Sequence, residues 1–339
     1  MNSLRSRLRV AGRWWAWLWL LLLLAAAAWA QFGSAAGHPL PLDAERFSQV
    51  PSARHLLGTD AYGRDVLADL AMGARRLLLV SVPAALLASI VGVLLGTAAG
   101  YWGDTGLRLR QAAVIALLTC FTGLLVSEPT AVGWWLLTAA LATVVIYSLN
   151  CFAATVAVPL DWLVQSTMAW LGAVPRLVLV LALTALHAPT DWWLTGMLAL
   201  LCWTNTARLT RTLVQQLCHR PYVEAGRTAG LSSARLLWHH ILPNAWPSLR
   251  TSLPLNLNTC LALQTTLAFL GIGLAPDQAD WGATLANARL EPSAWWLVVS
   301  ALLALTLTVV ALYLLLPPSL TKLTVSSRLT SPPTLRHKY

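Results

Sequence analysis

The chain has 339 residues, of which 57% are hydrophobic and 11% charged, with a net charge of +10. Soluble globular domains carry about 25% charged residues, so this composition, with a mean hydropathy of +0.64, excludes a soluble domain and points to a membrane protein. The positive charge does not describe a nucleic-acid binder. Lysine occurs only at Lys322 and Lys338, and the arginines gather in short stretches between apolar runs, as membrane topology requires.

In chain order, Arg5, Arg7, Arg9 and Arg13 precede an apolar stretch at 14–30. Two readings stay open for it: a retained first membrane helix, which we favour, or a secretory signal with Ala28-Trp29-Ala30 as a cleavage site. Residues 31–76 are polar, with Pro, Gly and balanced charge. Apolar segments follow at 77–100, 112–127, 132–150, 162–186, 192–207, 254–275 and 295–316, and a polar, basic tail begins at Pro317. Each segment comes close to the roughly 20 residues that span a bilayer, which predicts eight crossings. With the N-terminus inside, 16 of the 23 basic residues fall on the inner side, as the positive-inside rule expects. Arg176 is costly within an apolar run unless it faces protein, water or headgroups. It is expected to pack or snorkel rather than line a path. The cysteines Cys120, Cys151, Cys202, Cys218 and Cys260 have no metal-like spacing and are expected to be buried hydrophobes. Paired tryptophans such as Trp14-Trp15, Trp134-Trp135, Trp192-Trp193 and Trp295-Trp296 sit near segment ends, as interfacial anchors do.

The largest inner loop, 208–250, is the most informative. Pro221 is expected to start a short helix through Tyr222, Val223, Glu224, Ala225 and Gly226. Gly230 is placed to end it in the left-handed conformation. Ser232 is expected to cap a second helix running to about Ile241, through His240, with Leu242-Pro243-Asn244 stopping it. Two short helices at an angle form a knob with a small-residue face and one carboxylate, Glu224. Such a knob suits a cleft on a partner, but an amphipathic surface loop has the same pattern.

Three stretches, taken together, resemble a known family. Residues 222–232 and 240–244 are similar to the EAA loop of bacterial ABC-importer permeases, with Gly226 where a second Ala is usual. The ending His-Ile-Leu-Pro-Asn resembles the dipeptide/oligopeptide/nickel branch. Residues 55–67 resemble that branch's H-x-x-G-T-D-x-x-G-R-D-V-L motif. There Gly58 and Gly63 permit tight turns, while Thr59, Asp60, Arg64 and Asp65 are expected to form an outer-face structural cluster. Residues 269–274 and Asp280-Trp281-Gly282 resemble the branch's F-L-G-L-G and E-W-G segments, with Asp280 where Glu is usual.

The resemblance implies an all-α polytopic fold. Its six-helix core would use 14–30, 77–100, 162–186, 192–207, 254–275 and 295–316, with a two-helix insertion over 103–159. It also implies a permease subunit for short peptides, or nickel and related small solutes. Implied partners are a second permease subunit, two cytoplasmic ATPase subunits and a periplasmic substrate-binding protein. No cofactor is expected on this chain, because neither lysine follows a glycine as a phosphate-binding loop requires; ATP and Mg belong to the ATPase subunits. A membrane enzyme is disfavoured, since His219, His239 and His240 lack an acidic cluster and the last two point about 100° apart on a helix. A self-contained channel or ATPase-independent transporter is disfavoured by the EAA-like loop.

Overall fold

Helix-starting and helix-breaking residues set most element boundaries. The computed structural model describes residues 2–32, 47–106, 108–110, 155–186, 190–272 and 279–316. Helix α1 (Asn2–Phe32) buries Ala16, Leu23, Ala27 and Ala30 along one stripe. The next helix begins at Val66, ahead of the expected 77. The reason is a cap: the Asp65 carboxylate accepts from the amides of Leu67 (2.8 Å) and Ala68 (3.4 Å), filling donors that a helix start leaves open. Charged Asp69 and Arg76 hide this start in the hydropathy profile, yet both are buried. The run consists of α2 (Val66–Arg76), a π turn (Leu77–Ser81) and α3 (Val82–Trp102), 37 residues without a break.

After α3, β1 (Arg108–Arg110) pairs antiparallel with β2 (Thr155–Ala157), Arg108 opposite Ala157. This ribbon holds the two β-strands found among the described residues; an isolated bridge pairs Thr59 with Asp65. The segments 112–127 and 132–150, with Cys120 and Cys151, lie outside the described residues, as does the tail from 317.

The segment 162–186, expected as one crossing, is two helices. α4 (Leu160–Ala173) and α5 (Arg176–Leu186) meet at 85°. Pro175 is the cause: it disfavours helix at the residue before it, and Val174 is extended at φ −101°, ψ 134°. Arg176 sits at the bend, half-buried, and donates to Asn205 Oδ1 of the following helix at 3.0 Å.

Helix α6 (Asp191–Cys218) starts at a Thr190 cap and outruns the expected 192–207. The loop region follows as α7 (Pro221–Thr228), α8 (Ser233–Leu236), a second π turn (Leu237–Ile241) and α9 (Leu242–Leu249). Then come α10 (Ser252–Phe269), α11 (Trp281–Asn287) and α12 (Trp295–Leu314). α10 stops short of the expected 275 because Gly271, at φ +73°, closes it. The amides of Gly271 and Ile272 fold back to the carbonyls of Ala268 and Leu267, the two bonds of a Schellman motif.

Three helices are long and apolar enough to cross a membrane, Ala11–Phe32, Val66–Trp102 and Trp295–Leu314; the bent pair α4–α5 makes a fourth if it is one span. α6 and α10 are less apolar because polar side chains line the sides that face neighbouring helices. Thr206, Thr210, Asn256 and Gln264 are buried between neighbours rather than turned to lipid. Asn256 Nδ2 donates to Ser89 Oγ (3.0 Å) and Thr206 Oγ1 (2.7 Å), joining α3, α6 and α10. The six segments assigned to a core thus all carry helices.

α3 and α6 form the most extensive helix pair. Gly92, Gly96 and Gly100 recur every fourth residue on α3, and α6 lies directly against them. A Cβ on Gly96 would stand 2.5 Å from the Ala207 carbonyl oxygen and 2.8 Å from Thr210 Cβ. Small residues at this spacing let backbones approach in a membrane, where dispersion and close fit replace the hydrophobic effect. The core around this seam includes Ala85, Ala88, Leu198, Cys202 and Cys260. Cys202, Cys218 and Cys260 are buried and unbridged.

Candidate functional site

The knob is built as two helices closed by a glycine turn. Pro221 opens α7 without leaving an amide idle. Gly230, at φ +78°, ends it: its amide reaches Arg227 O (3.0 Å) while Leu231 N–H reaches Gly226 O (3.0 Å), again a Schellman closure. Ser232 then caps α8 through Arg235 N (3.4 Å). Val223 is fully buried with Leu236, Leu237 and Ile241 against Val214 and Cys218 of α6. Gly226 faces this interior, where a Cβ would meet Leu236 Cδ2 at 2.7 Å. Leu236 therefore fills space that an alanine at 226 would claim.

Pro243 does not stop the second helix, contrary to expectation. A π turn precedes it, closing with Leu242 N–H on Leu237 O. Pro243 then falls in the first turn of α9, where a missing amide costs least. Leu242 is half-buried and Pro243 exposed. Asn244 stitches the two helices, its Nδ2 donating to His240 O (2.8 Å) and Tyr222 Oη (3.2 Å). Glu224, Ala225, Gly230 and Ser232 present an exposed face beside them. The Arg227 guanidinium lies over the Tyr101 ring of α3 at 5.7 Å, so the knob touches both helices of the glycine seam.

The second cluster is a loop locked to distant helices. Buried Asp60 accepts from Tyr62 N (2.9 Å) and Arg64 N (2.8 Å) through Oδ1, and from Asn287 Nδ2 (3.2 Å) through Oδ2. Thr59 Oγ1 accepts from Gln49 N (2.8 Å), and Thr59 O accepts from Trp296 Nε1 (3.1 Å). Gly58 and Gly63 both have positive φ; at Gly58 a Cβ would meet Gln49 O at 2.6 Å. Asp65, besides capping α2, pairs with His55 Nδ1 at 2.9 Å. The Arg64 guanidinium stacks over Tyr62 at 5.5 Å. The motif thus fastens the 48–65 loop to the starts of α2 and α12.

The third segment joins this network. Fully buried Asp280 caps α11 through Gly282 N (3.0 Å) and accepts from Gln264 Nε2 (2.8 Å). Gln264 Oε1 in turn accepts from Ser81 Oγ (2.6 Å) on the first π turn. Burial raises the Asp280 carboxyl above the ordinary carboxylate range, opposed by the Gln264 and Gly282 donors. Trp281 Nε1 donates to Leu70 O (2.9 Å), its ring over Gly73, where a Cβ would stand 2.4 Å from Cδ1. Gly273 and Leu274 lie outside the described residues. Sequence reasoning missed Gly73, Gly92, Gly96, Gly100, Ser81, Asn256 and Gln264. The one signal that could have found any of them is the G-x-x-x-G spacing of Gly92, Gly96 and Gly100.

The two clusters occupy opposite ends of the bundle. At the knob end, Gly100 of α3 meets Arg211 of α6, and Gly12 of α1 meets Leu314 of α12. At the motif end, Trp296 and Asn287 hold Thr59 and Asp60, and Arg76 pairs with Asp191 at 3.2 Å.

This layout has relatives. Residues 151–322 match the family described as the binding-protein-dependent transport system inner membrane component. The chain belongs to this family. By that membership it is a membrane-embedded transport permease and not an enzyme, and it works with partners of the ABC-transporter kind. A protein described as a peptide transport system permease in Brucella suis is 28% identical over 82% of this chain and 76% of its own length. The di/tripeptide transport system permease DppC of Pseudomonas aeruginosa is 29% identical over 78% and 69%. The inner membrane ABC transporter permease YejE of Escherichia coli is 26% identical over 77% and 61%.

Proposed function

We propose that the chain is one transmembrane half of an ABC importer for short peptides, with the knob on the cytoplasmic side as the piece that docks into an ATPase subunit. A second permease subunit completes the path, two ATPase subunits bind below, and a substrate-binding protein docks at the motif end. ATP and Mg are bound and turned over on the ATPase subunits, and both termini of this chain face the cytoplasm. The relatives' peptide names support the cargo class. The observation that carries the coupling role is the closure of the knob around Gly230 and its contact with α3 and α6. Motion imposed on Glu224 to Gly230 would reach the glycine seam directly, the kind of two-state interface that nucleotide and substrate can both bias.

The experiment is Gly230→Ile in the co-expressed complex. Nothing lies within 4 Å of the added Cβ, so the substitution acts through the backbone, where a left-handed conformation costs an L-residue about 1–2 kcal/mol. Insertion and folding should persist while substrate-stimulated ATP hydrolysis is lost. Glu224→Ala should give a milder defect, since one exposed charge pair contributes about 0–1 kcal/mol. Wild-type transport by Gly230→Ile would remove the knob from the mechanism.

A further inference from the structure

The second helix of the knob carries an exposed surface away from Glu224 and Gly230. Trp238 is 63% exposed and Trp246 is 61% exposed. In an unbroken α-helix, residues eight apart point about 80° from each other at 3.6 residues per turn. The π turn at Leu237–Ile241 inserts one extra residue between them. The two indoles therefore take the phase of positions seven apart, within about 20° of alignment. Arg235 and Arg250, both exposed, fall near the same line on either side. The opposite face carries Leu236, Ile241, Ala245 and Leu249, all buried. The π turn thus produces one continuous aromatic and basic stripe.

We propose that this stripe seats the knob on the anionic headgroup layer of the membrane, with Trp238 and Trp246 at the interface and Arg235 and Arg250 on lipid phosphates. Three observations choose lipid as the occupant. First, Glu224 is the single acidic residue between positions 192 and 276, and among the described residues neither arginine has an acidic partner. The surface is complementary to negative charge. Second, indoles favour the boundary between water and hydrocarbon, and arginine heads reach to phosphates from such a position. Third, the stripe ends at Arg250, immediately before α10, whose first turn exposes Leu253 and Leu255. It is continuous with apolar surface at the base of that helix, where basic residues are drawn to acidic lipid. The seat holds the knob's height and tilt relative to the bilayer, and it stands or falls separately from ATPase docking.

The test uses the full chain in phosphatidylcholine nanodiscs containing a fraction of brominated phosphatidylglycerol or, separately, the same fraction of brominated phosphatidylcholine. Emission of the wild type minus that of Trp238→Phe/Trp246→Phe isolates the two indoles. The expected result is strong quenching by both brominated lipids, greater for phosphatidylglycerol, and weak quenching by acrylamide. Arg235→Gln/Arg250→Gln should abolish the phosphatidylglycerol preference, each arginine being worth about 5-fold in attraction, while quenching by brominated phosphatidylcholine persists. Should the tryptophan variant not incorporate, phosphatidylglycerol retained per chain after delipidation reads the arginine variants alone, and an unchanged ratio refutes the seat. Acrylamide quenching without lipid quenching would also overturn it, as would equal quenching by the two lipids. Protection from every quencher once partner subunits co-purify would assign the stripe to a protein and overturn it too.

Discussion

Gly96→Ala and Gly196→Ala are the same substitution with different expected effects, a loss at the first and a gain at the second. At Gly96 the new methyl would stand 2.5 Å from the Ala207 carbonyl oxygen, 2.8 Å from Thr210 Cβ and 3.0 Å from Ala207 Cα. Comfortable contact lies near 3.5–4.0 Å between carbons, so α3 and α6 must separate by roughly 1 Å along their most extensive interface. The nearest obstacles are backbone atoms, which cannot rotate away. Overpacking of this kind costs about 1–3 kcal/mol, against about 0.5–1 kcal/mol gained by replacing glycine within a helix. The net expectation is a loss of about 0–2.5 kcal/mol, which leaves Gly96→Ala less stable than Gly196→Ala throughout that range. At Gly196, also helical, nothing lies within 4 Å of the added methyl, so only the gain of about 0.5–1 kcal/mol remains. Denaturation of the purified full chain in mild detergent, followed by circular dichroism, measures both. If Gly96→Ala is as stable as Gly196→Ala, the two helices do not approach as closely as described and the seam argument fails.

Other substitutions separate the remaining contacts. Gln264→Leu leaves the Ser81 hydroxyl and Asp280 carboxylate without their shared partner and should destabilise the chain by about 1–3 kcal/mol, measured by the same denaturation. Asp60→Asn keeps the shape but loses the charge-assisted bonds to Tyr62 N and Arg64 N. Proteolysis within 48–65 should then quicken, with the helical content unchanged. Gly226→Ala meets only the ends of the Leu236 and Leu231 side chains, which can turn aside; it should cost less than about 1 kcal/mol and preserve ATPase stimulation. A severe defect there would mean that the knob's interior is rigid.

Much of this architecture was legible before the structure. The knob followed from Pro221, Gly230 and Ser232, because each acts on its own neighbours and needs no distant partner. The start of α2 was placed late because its charges are compensated by contacts across the fold: Arg76 finds Asp191, 115 positions away. The bend at Pro175 was obscured by continuous apolarity, although proline's effect on Val174 was available from the residue order. Pro243 misled for the converse reason, since a π turn that no local pattern announced carries the helix past it. The polar interior of α10 was illegible in kind. Asn256 and Gln264 look like interruptions of an apolar run until Ser89, Thr206 and Asp280 are seen around them.

Because Arg108 stands opposite Ala157 across the β1–β2 ribbon, the stretch that follows α3 and the stretch that leads into α4 are held side by side by backbone pairing. The Asp161 amide also reaches Gly103 O at 3.4 Å. These two helices are therefore moored to each other at one end by main-chain hydrogen bonds, which do not depend on which side chains stand there, so side-chain substitutions at 108–110 or 155–157 should leave the mooring in place.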